Sequence, residues 1–218
     1  MKPQSKVSTD WCDKLAYAVG LLATDGCLYN DGRHIDFTSQ DLQLIETFKT
    51  CLNLKNKISL KASGSSIKKC PHIQFGDVLF YKWLLKIGIT PHKSKTIAGV
   101  KIPDEYFFDF LRGHFDGDGC CFSYWDKRWH SSFMFYLTFV SASEKHINWL
   151  RQKIKSFTKI NGYLGKAKKG KVYQLRYAKK ESKILISKMY YKNNLPCLLR
   201  KYKKIKSVLE IDKKGLNK

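Results

Sequence analysis

The apolar positions of this 218-residue chain follow two spacings in turn, one typical of helices and one typical of strands. Apolar residues three or four positions apart predict helices over 11–24, 42–52 and 78–87. Between these helices, apolar and polar residues alternate within 34–38 and 57–75, which predicts antiparallel hairpins with one buried face. The first part of the chain therefore predicts the order helix, hairpin, helix, hairpin, helix.

The same order repeats in the second part of the chain. Leu137 and Phe139 correspond to Ile35 and Phe37 about 102 positions earlier, and Gln174 is matched with Gln74. Four hairpins supply about eight strands, enough for two four-stranded antiparallel sheets with helices on one face and a polar opposite face. We predict an α+β fold with a flexible N-terminus over 1–10, a first half over 11–97, a linker over 98–104, a second half over 105–206 and a frayed basic tail over 207–218.

Two short stretches, one in the first helix of each half, are near-copies of one another. AVGLLATDG spans 18–26 and LRGHFDGDG spans 111–119, so the copies are about 93 positions apart. Each ends in Asp-Gly, and we predict that the Gly stops the helix in the left-handed conformation. Small residues let a partner helix approach closely, and the predicted contacts between the two helices are Ala16, Gly20, Gly113 and Gly117.

The position of Asp25 and Asp118, in the last turn of each helix, is unfavourable by itself. A carboxylate there faces the negative end of the helix dipole, which costs roughly 0.3–1 kcal/mol. If the two helices pair about a pseudo-twofold axis, both carboxylates meet at one end of their contact. The repetition of this feature suggests a cation between them.

The two stretches resemble the paired motifs of single-chain LAGLIDADG homing endonucleases, and the resemblance covers roughly residues 12–206. Two departures are Ala23, where the motif often has its first acid, and His114, which replaces an apolar residue. The resemblance implies two pseudo-symmetric αββαββα halves, with the motif helices packed at a central seam and the sheets forming a DNA-binding saddle. It also implies a monomer that cuts double-stranded DNA at a long pseudo-palindromic target, and the free-standing length favours an intron-encoded protein.

Cutting a phosphodiester bond requires an activated water and neutralised charge on the phosphate, which divalent cations with oxygen ligands supply. The resemblance assigns Asp25 and Asp118 as catalytic residues and Mg²⁺ ligands, with Mn²⁺ expected to substitute and Ca²⁺ to support binding without cleavage. It also assigns one catalytic lysine per half, which we place at Lys95 and Lys201 by matching Ser-Lys-Thr with Arg-Lys-Tyr. Asp116 is interpreted as an exposed helix acid rather than a third ligand.

A two-stranded ribbon fits the major groove of DNA. The outward-facing residues of the second hairpin in each half are therefore the predicted DNA contacts. In the first half these are Lys57, Ser59, Lys61, His72 and Gln74, and in the second half Lys166, Lys168, Lys171, Gln174 and Arg176.

The formal net charge of +23 indicates a polyanionic partner, and its distribution is uneven. Residues 151–218 alone hold 22 Lys and Arg against three Asp and Glu. Because binding to nucleic acid depends on the number of phosphates neutralised, this excess predicts more phosphate contacts in the second half-site. The alternative is that part of the excess lies on the helical back face or in the tail, where it would only aid solubility. No run of 18 apolar residues, no secretory signal and no C-x-x-C pair is visible. We therefore expect no membrane partner and an intracellular location, in the cytoplasm of a prokaryote or an organelle matrix.

Two other functions stay open on the sequence. One is an RNA-binding intron maturase, with host intron RNA as its partner, and the other is a LAGLIDADG-like regulator that binds DNA without cutting it. The presence of both Asp25 and Asp118 favours the nuclease, because a protein that only binds a polyanion gains by losing two carboxylates from its surface.

Overall fold

The structure, a computed structural model, describes residues 6–63, 66–129, 131–167 and 172–215. The first half contains α1 (Asp13–Asp25), β1 (Gly26–Leu28), β2 (His34–Thr38), α2 (Leu42–Cys51), β3 (Ser59–Ser63), β4 (Ser66–Gly76) and α3 (Val78–Ile87). The second half contains α4 (Phe107–Asp118), β5 (Cys120–Trp125), β6 (Phe133–Ser141), α5 (Glu144–Thr158), β7 (Tyr163–Lys166), β8 (Tyr173–Ala178), α6 (Lys179–Met189) and α7 (Leu199–Gly215). Short 3₁₀ turns lie at Lys93–Lys95 and Asp104–Tyr106.

Two four-stranded antiparallel sheets have the orders β1-β2-β4-β3 and β5-β6-β8-β7. In the first sheet Phe37 pairs with Ile73, and in the second Phe139 pairs with Leu175, with all four side chains buried under the helices. The predicted α+β architecture with two such sheets is confirmed. No helix in the described ranges is long and apolar enough to cross a membrane.

The two halves meet where α1 crosses α4 with their backbones in contact. A Cβ atom on Gly20 would lie 2.2 Å from the carbonyl oxygen of Phe110, and one on Gly113 would lie 2.1 Å from that of Tyr17. Phe110 and Tyr17 are themselves equivalent positions of the two copies, so the contact is reciprocal about a pseudo-twofold axis. Ala16 is fully buried one turn before Gly20, as expected for a close helix pair.

The glycines that end these helices act differently from the prediction. Gly26 and Gly119 have extended backbones, with φ of −76° and −82°, so neither adopts the left-handed conformation. A side chain would instead collide with the preceding helical turn, since a Cβ would lie 2.7 Å from Leu22 and 2.4 Å from Phe115. Helix α1 runs directly into β1, and α4 nearly so into β5, which requires this tight fold-back.

The register of the sheets corrects one match between the halves. Gln74 pairs with Asp36, and Arg176 pairs with Thr138, which is the position 102 residues after Asp36. Arg176, and not Gln174, is therefore the structural equivalent of Gln74. The offset of 102 between the halves holds from β2 and β6 through to β4 and β8. The match made on sequence was two residues off because it paired two identical residue types and not two equivalent positions.

The C-terminal segment does not fray after residue 206, contrary to the prediction. Residues 207–215 continue α7, where Val208 is buried against the core. Asp212 is also buried and forms ion pairs with Lys179 and Lys183 of α6. The high lysine content concealed an amphipathic helix. In α2, Leu44 is buried, whereas Leu42, the first residue of the helix, is half exposed.

Candidate functional site

The helix crossing brings Asp25 and Asp118 to the same end of the seam. Asp25 is the last residue of α1 and Asp118 is the last residue of α4. Gly117 permits this close approach, because a Cβ on it would lie 2.0 Å from Thr24 Oγ1 and 3.1 Å from Asp25 Oδ2. Asp25 is partly buried, and Asp118 is the more exposed of the two, although neighbouring protein covers part of its carboxylate. Two carboxylates that are far apart in sequence thus form one acidic pair.

Two buried lysines lie at the helix ends beside this pair. Lys93 Nζ donates to the carbonyl oxygens of Thr24, at 3.3 Å, and Gly26. Lys201 Nζ donates to the carbonyl oxygens at the equivalent positions of the second copy, at 3.1 and 2.7 Å, and to two more in the last turn of α4. Each ammonium binds carbonyl groups that a helix end leaves unpaired. Each also offsets the negative helix end next to a carboxylate, which explains how these acids are tolerated there.

The structure places Lys93, rather than the predicted Lys95, at this position. Lys93 is 4% exposed, whereas Lys95, two residues later in the same 3₁₀ turn, is exposed. Residues two apart in such a turn face different sides, and the short sequence match could not distinguish them. The other predicted lysine, Lys201, is 9% exposed and lies beside the acidic pair.

The electrostatics of the pair follow from burial and from repulsion between the acids. Burial, together with the neighbouring Asp118, raises the pKa of Asp25 to about 6 against the opposing effect of Lys201 and Lys93. Burial also raises the pKa of Asp118, again opposed by these two lysines. Burial lowers the pKa of Lys93 and Lys201. Because the raised pKa values favour protonation of the acids, a cation that replaces the proton would relieve the repulsion.

The start of α7 is fastened to the first half, and this fixes Lys201. The Arg200 guanidinium donates to both carboxylate oxygens of Asp41, with the shortest contact at 2.7 Å. Gln43 of α2 accepts a hydrogen bond from the backbone N–H of Leu199 at 2.9 Å. Lys201 therefore lies on a helix whose first turn is bonded to both halves of the molecule.

Two open clefts flank the acidic pair. One, of about 330 Å³, is lined by Asp25, Gln40 and Arg200 among others. The second, of about 540 Å³, is lined by Asp118, Arg200, Lys201 and Lys204 with the start of β5. The second cleft combines Asp118 with three cationic side chains, whereas the first combines Asp25, Asp41 and Asp116 with the Arg200 guanidinium alone. Each cleft thus places one acid of the pair near a cation, which suits a phosphate next to a bound metal ion.

Asp116 is not the exposed acid that the sequence suggested. It is 2% exposed and accepts hydrogen bonds from Tyr17 Oη at 2.8 Å and from the backbone N–H of Leu198 at 2.7 Å. Burial raises its pKa to about 6 against these hydrogen bonds. Asp116 thus links α4 by hydrogen bonds to α1 and to the segment before α7, so its role is structural.

His114, the second departure from the motif, lies in the core. Its ring stacks on that of His146, with centroids 5.2 Å apart, and burial holds its pKa well below the ordinary value. The neutral imidazole therefore occupies the place of an apolar side chain and faces away from solvent.

The outer face of the first sheet, opposite the helices, carries most of the predicted contacts of that half. Lys61 and His72 lie on this face and surround Asp36, which is 1% exposed. Lys61 Nζ is 2.8 Å and His72 Nδ1 is 3.3 Å from the Asp36 carboxylate. Ser59 Oγ lies 3.2 Å from His72 Nε2, and Gln74 is exposed beside them. The sequence missed Asp36 as the buried centre of this network, although the alternation in β2 places it on the outer face.

Two of the other predicted contacts differ in position. Lys57 precedes β3 and is exposed, so it lies outside the sheet. Lys166 pairs with Tyr173, whose hydroxyl donates to Glu144 of α5 at 2.8 Å, so Lys166 lies on the helix-covered face. The prediction had assigned Lys166 to the outer face, so the alternation in β7 is shifted by one residue from the predicted one. Gln174 and Arg176 lie on the outer face, and Lys168 and Lys171 lie outside the described residues.

The basic excess of the second half lies mainly on its helices. Helices α5, α6 and α7 are rich in lysine, and Lys179 and Lys183 are engaged by Asp212. In the described residues of the four strands of the second sheet, the only cationic side chains are Lys166 and Arg176. The expected surplus of phosphate contacts in the second half-site is therefore not supported for the described sheet surface.

Comparisons with known proteins identify the fold. No family model and no curated protein sequence matches the chain. The LAGLIDADG homing endonuclease I-LtrWI, bound to target DNA, has a TM-score of 0.59 at 14% identity over 94% of both chains. The meganuclease I-SmaMI, bound to uncleaveable DNA, has a TM-score of 0.58 at 14% identity over 94% of this chain and 91% of its own.

A third neighbour is full-length DUF199/WhiA from Thermatoga maritima, with a TM-score of 0.57 at 15% identity over 94% of this chain. This chain spans only 62% of that protein's length, and the N-terminal part of DUF199/WhiA is a LAGLIDADG domain. At these identities the comparisons show the fold. The fold is that of the single-chain LAGLIDADG homing endonucleases, as the motif pair predicted.

Proposed function

We propose that this protein is a site-specific endonuclease that cuts both strands of double-stranded DNA. The observation that carries the proposal is the pairing of Asp25 and Asp118 at the ends of crossed helices, between two open clefts that share Arg200. A protein that only binds DNA has no use for two carboxylates where phosphates approach, because they repel the ligand.

The donor set fits Mg²⁺. In the part of the chain that the structure describes, no group of three or more His, Cys, Asp and Glu side chains could hold a metal ion. Zinc sites of the usual closed type need such a set. Mg²⁺ is instead commonly bound by one or two carboxylates, with waters and substrate phosphates completing its ligands. Asp25 and Asp118 would hold it, Mn²⁺ is expected to substitute, and Ca²⁺ is expected to support binding without cleavage.

When bound, the cation supplies an activated water and neutralises charge on the scissile phosphate. The chain's own residues position and tune the acids. Within the described residues, the Lys93 and Lys201 ammonium groups donate hydrogen bonds to backbone carbonyls at the helix ends, so both act as positioning residues through their charge. This charge opposes the rise in the pKa of both acids that burial causes, while the outer sheet faces bind the duplex on either side. One chain supplies both halves, so we propose that the protein acts as a monomer.

One alternative function is supported by an observation. The match to DUF199/WhiA shows that this fold occurs in a protein that carries a LAGLIDADG domain without being described as an endonuclease. A non-cleaving DNA-binding regulator is therefore the second candidate. An intron maturase has no comparable support.

The experiment that separates these functions uses a randomised library of duplex DNA. Incubation with protein and Mg²⁺, followed by sequencing of the product ends, is expected to give one cleavage site with cuts in both strands. Enrichment of a bound sequence without any cut ends would favour the regulator. Absence of both would overturn DNA recognition as the function.

Lys93 and Lys95 offer a matched pair of variants. Lys93→Met removes a buried ammonium from the helix carbonyls, which should destabilise the fold by roughly 1–3 kcal/mol. It should also raise the pKa of Asp25 further and shift the cleavage pH profile upward. Lys95→Met, in the same turn but exposed, should change stability by less than about 0.5 kcal/mol and leave the profile unchanged. Thermal melts and cleavage rates from pH 5.5 to 8.5 measure both effects, and an unshifted profile in Lys93→Met contradicts its electrostatic role.

The raised pKa of Asp25 predicts how pH affects cation binding. Without a cation this group has a pKa of about 6, above its ordinary 3.8, so the folded chain takes up a proton between roughly pH 4 and 6. Ionising it as pH rises through this window costs stability, which a bound cation restores. The Mg²⁺-induced rise in Tm is therefore expected to be larger at pH 7.5 than at pH 5.5. Asp25→Asn should abolish this difference, and an equal rise in Tm at both pH values in the wild type would contradict the assignment.

A further inference from the structure

The outer face of the second sheet carries a group of aromatic side chains beside its polar residues. Along β6, alternate residues are buried, which places Tyr136 on the outer face. Phe122 of β5 pairs with Tyr136, and Tyr124 is two residues further along on the same face. Phe122 is 55% exposed and Tyr124 is 37% exposed. On β7, Tyr163 adds a ring that is 70% exposed.

Three of these rings, those of Phe122, Tyr124 and Tyr136, form a continuous row across β5 and β6, which we call the aromatic row. The ring centroids of Phe122 and Tyr124 are 5.7 Å apart, and those of Tyr124 and Tyr136 are 6.3 Å apart with nearly parallel planes. The Arg176 guanidinium lies 5.9 Å from the centroid of Tyr136. Because the helices cover the opposite face, the row is not part of the core, and its exposure calls for a partner.

The equivalent surface of the first sheet has a different chemistry. There, Lys61, His72 and Ser59 form hydrogen bonds around Asp36, and Gln74 is exposed. At the equivalent place the second sheet has aromatic rings. In its described strands, Arg176 is the one cation on the outer face. Such a surface is poorly suited to contacts with phosphate and well suited to apolar contact.

The aromatic row also adjoins the candidate site. Strand β5 begins two residues after Asp118, and its first residue, Cys120, is exposed in the cleft that contains Asp118. Phe122 follows on the same face two residues later. A duplex centred on the acidic pair would therefore continue over this row, as it would over the polar face in the other half.

We propose that the aromatic row contacts the C5 methyl groups of thymines in the major groove of one half-site. The proposal rests on the proposed function, since it assigns how one half of the DNA is recognised. Thymine is the base that presents a methyl group in this groove, and apolar side chains are its usual contacts. The first half instead recognises its half-site by hydrogen bonds, so the two half-sites are distinguished chemically and not only by sequence.

The test replaces thymine by deoxyuracil, which removes the methyl group and keeps base pairing. A duplex is first selected from a randomised library by binding in Ca²⁺, and its thymines are then replaced in one half-site at a time. Each contacted methyl group is expected to be worth about fourfold in Kd, the value for burying one such group. Replacement in one half-site should weaken binding by this factor or more, and replacement in the other by less than about twofold.

A variant assigns the effect to the row. Phe122→Ser should weaken binding to the thymine duplex and should reduce the difference in Kd between thymine and deoxyuracil duplexes, because one of the rings that contact the methyl groups is gone. Leu85→Ser is the matched control, because Leu85 is an exposed apolar residue on α3, on the helical side of the first half. It should bind both duplexes as the wild type does.

Two results would overturn the inference while leaving the proposed function intact. One is a selected and cleaved duplex whose Kd is unchanged by deoxyuracil in either half-site. The other is a single strand that binds as tightly as the duplex and weakens equally in Phe122→Ser, since unpaired bases would then stack on the rings. Failure to select any duplex would overturn the proposed function together with this inference.

Discussion

Replacing Asp25 or Asp118 with Asn is expected to abolish double-strand cleavage while DNA binding is kept or strengthened. The amide is a weaker cation ligand, and losing one group that stabilises charge in a transition state costs about a hundred- to a thousandfold or more in rate. Removing one negative charge also reduces repulsion between the acidic pair and the phosphates. Plasmid cleavage in Mg²⁺ and binding in Ca²⁺ measure the two effects separately.

The Tm of the Asp25→Asn variant shows whether the loss of cleavage comes from loss of the fold. Because burial and the neighbouring acid raise the pKa of Asp25, its ionised form is disfavoured in the folded chain at neutral pH. Asp25→Asn should therefore have a Tm equal to or above that of the wild type in metal-free buffer. Loss of cleavage is evidence for a catalytic role only if the variant keeps its fold. Full cleavage by a folded variant would remove Asp25 from the chemistry.

Gly113→Ala is expected to be the most damaging single substitution for stability. A Cβ at this position would lie 2.1 Å from the carbonyl oxygen of Tyr17 and 3.2 Å from the Cα atom of Gly20. These are backbone atoms, so no side-chain rotation relieves the overlap and the two helices must separate. Overpacking usually costs 1–3 kcal/mol, and we expect roughly 3 kcal/mol or more here, together with loss of cleavage because the acids move apart.

Gly76→Ala is the matched control for that variant. Gly76 also has an ordinary backbone conformation, and the nearest atoms to an added Cβ are those of the His34 ring at 3.4 Å, an ordinary contact. Its effect should stay below about 1 kcal/mol. Thermal or urea unfolding of both variants gives the comparison. Equal stability of Gly113→Ala and the wild type would contradict the close helix crossing.

The sequence predicted those parts of the molecule that repeat. The near-copies about 93 positions apart predicted the helix pair. The alternation of apolar and polar residues predicted the central strands of both sheets, around Ile35, Phe37, Leu137 and Phe139. These patterns are strong because burial of one face fixes the phase of a strand or helix. The helix crossing at Gly20 and Gly113 follows from the same logic, because only residues without a side chain permit backbone contact.

Other features depend on tertiary contacts that no local pattern records. Lys93 and Lys95 are equally basic and share one turn, and only the position of the α1 carbonyls decides which is buried. Lys166 lies on the opposite face from the one predicted because β7 has only four residues and its phase is set by pairing with β8. Asp116 is buried only because Tyr17 and the backbone of Leu198 meet it from distant parts of the chain.

The expectation of extra phosphate contacts in the second half-site failed on the described sheet surface for a similar reason. A net charge indicates a polyanionic partner but not which surface meets it. The lysines of α6 and α7 add to the positive field of the second half, while its outer sheet surface is aromatic. The sequence could not separate these two faces, since both draw on the same C-terminal stretch.

The most direct test of the central idea, that Asp25 and Asp118 form one cation site, is to map the bound cation on the polypeptide. With Fe²⁺ in place of Mg²⁺, ascorbate and peroxide generate radicals that cut the chain next to the metal, and mass spectrometry locates the cuts. We expect cuts near residues 25 and 118 together, suppressed by excess Mg²⁺ and lost in both Asp→Asn variants. Cuts at only one of these positions, or cuts that persist in Asp25→Asn, would contradict a shared site.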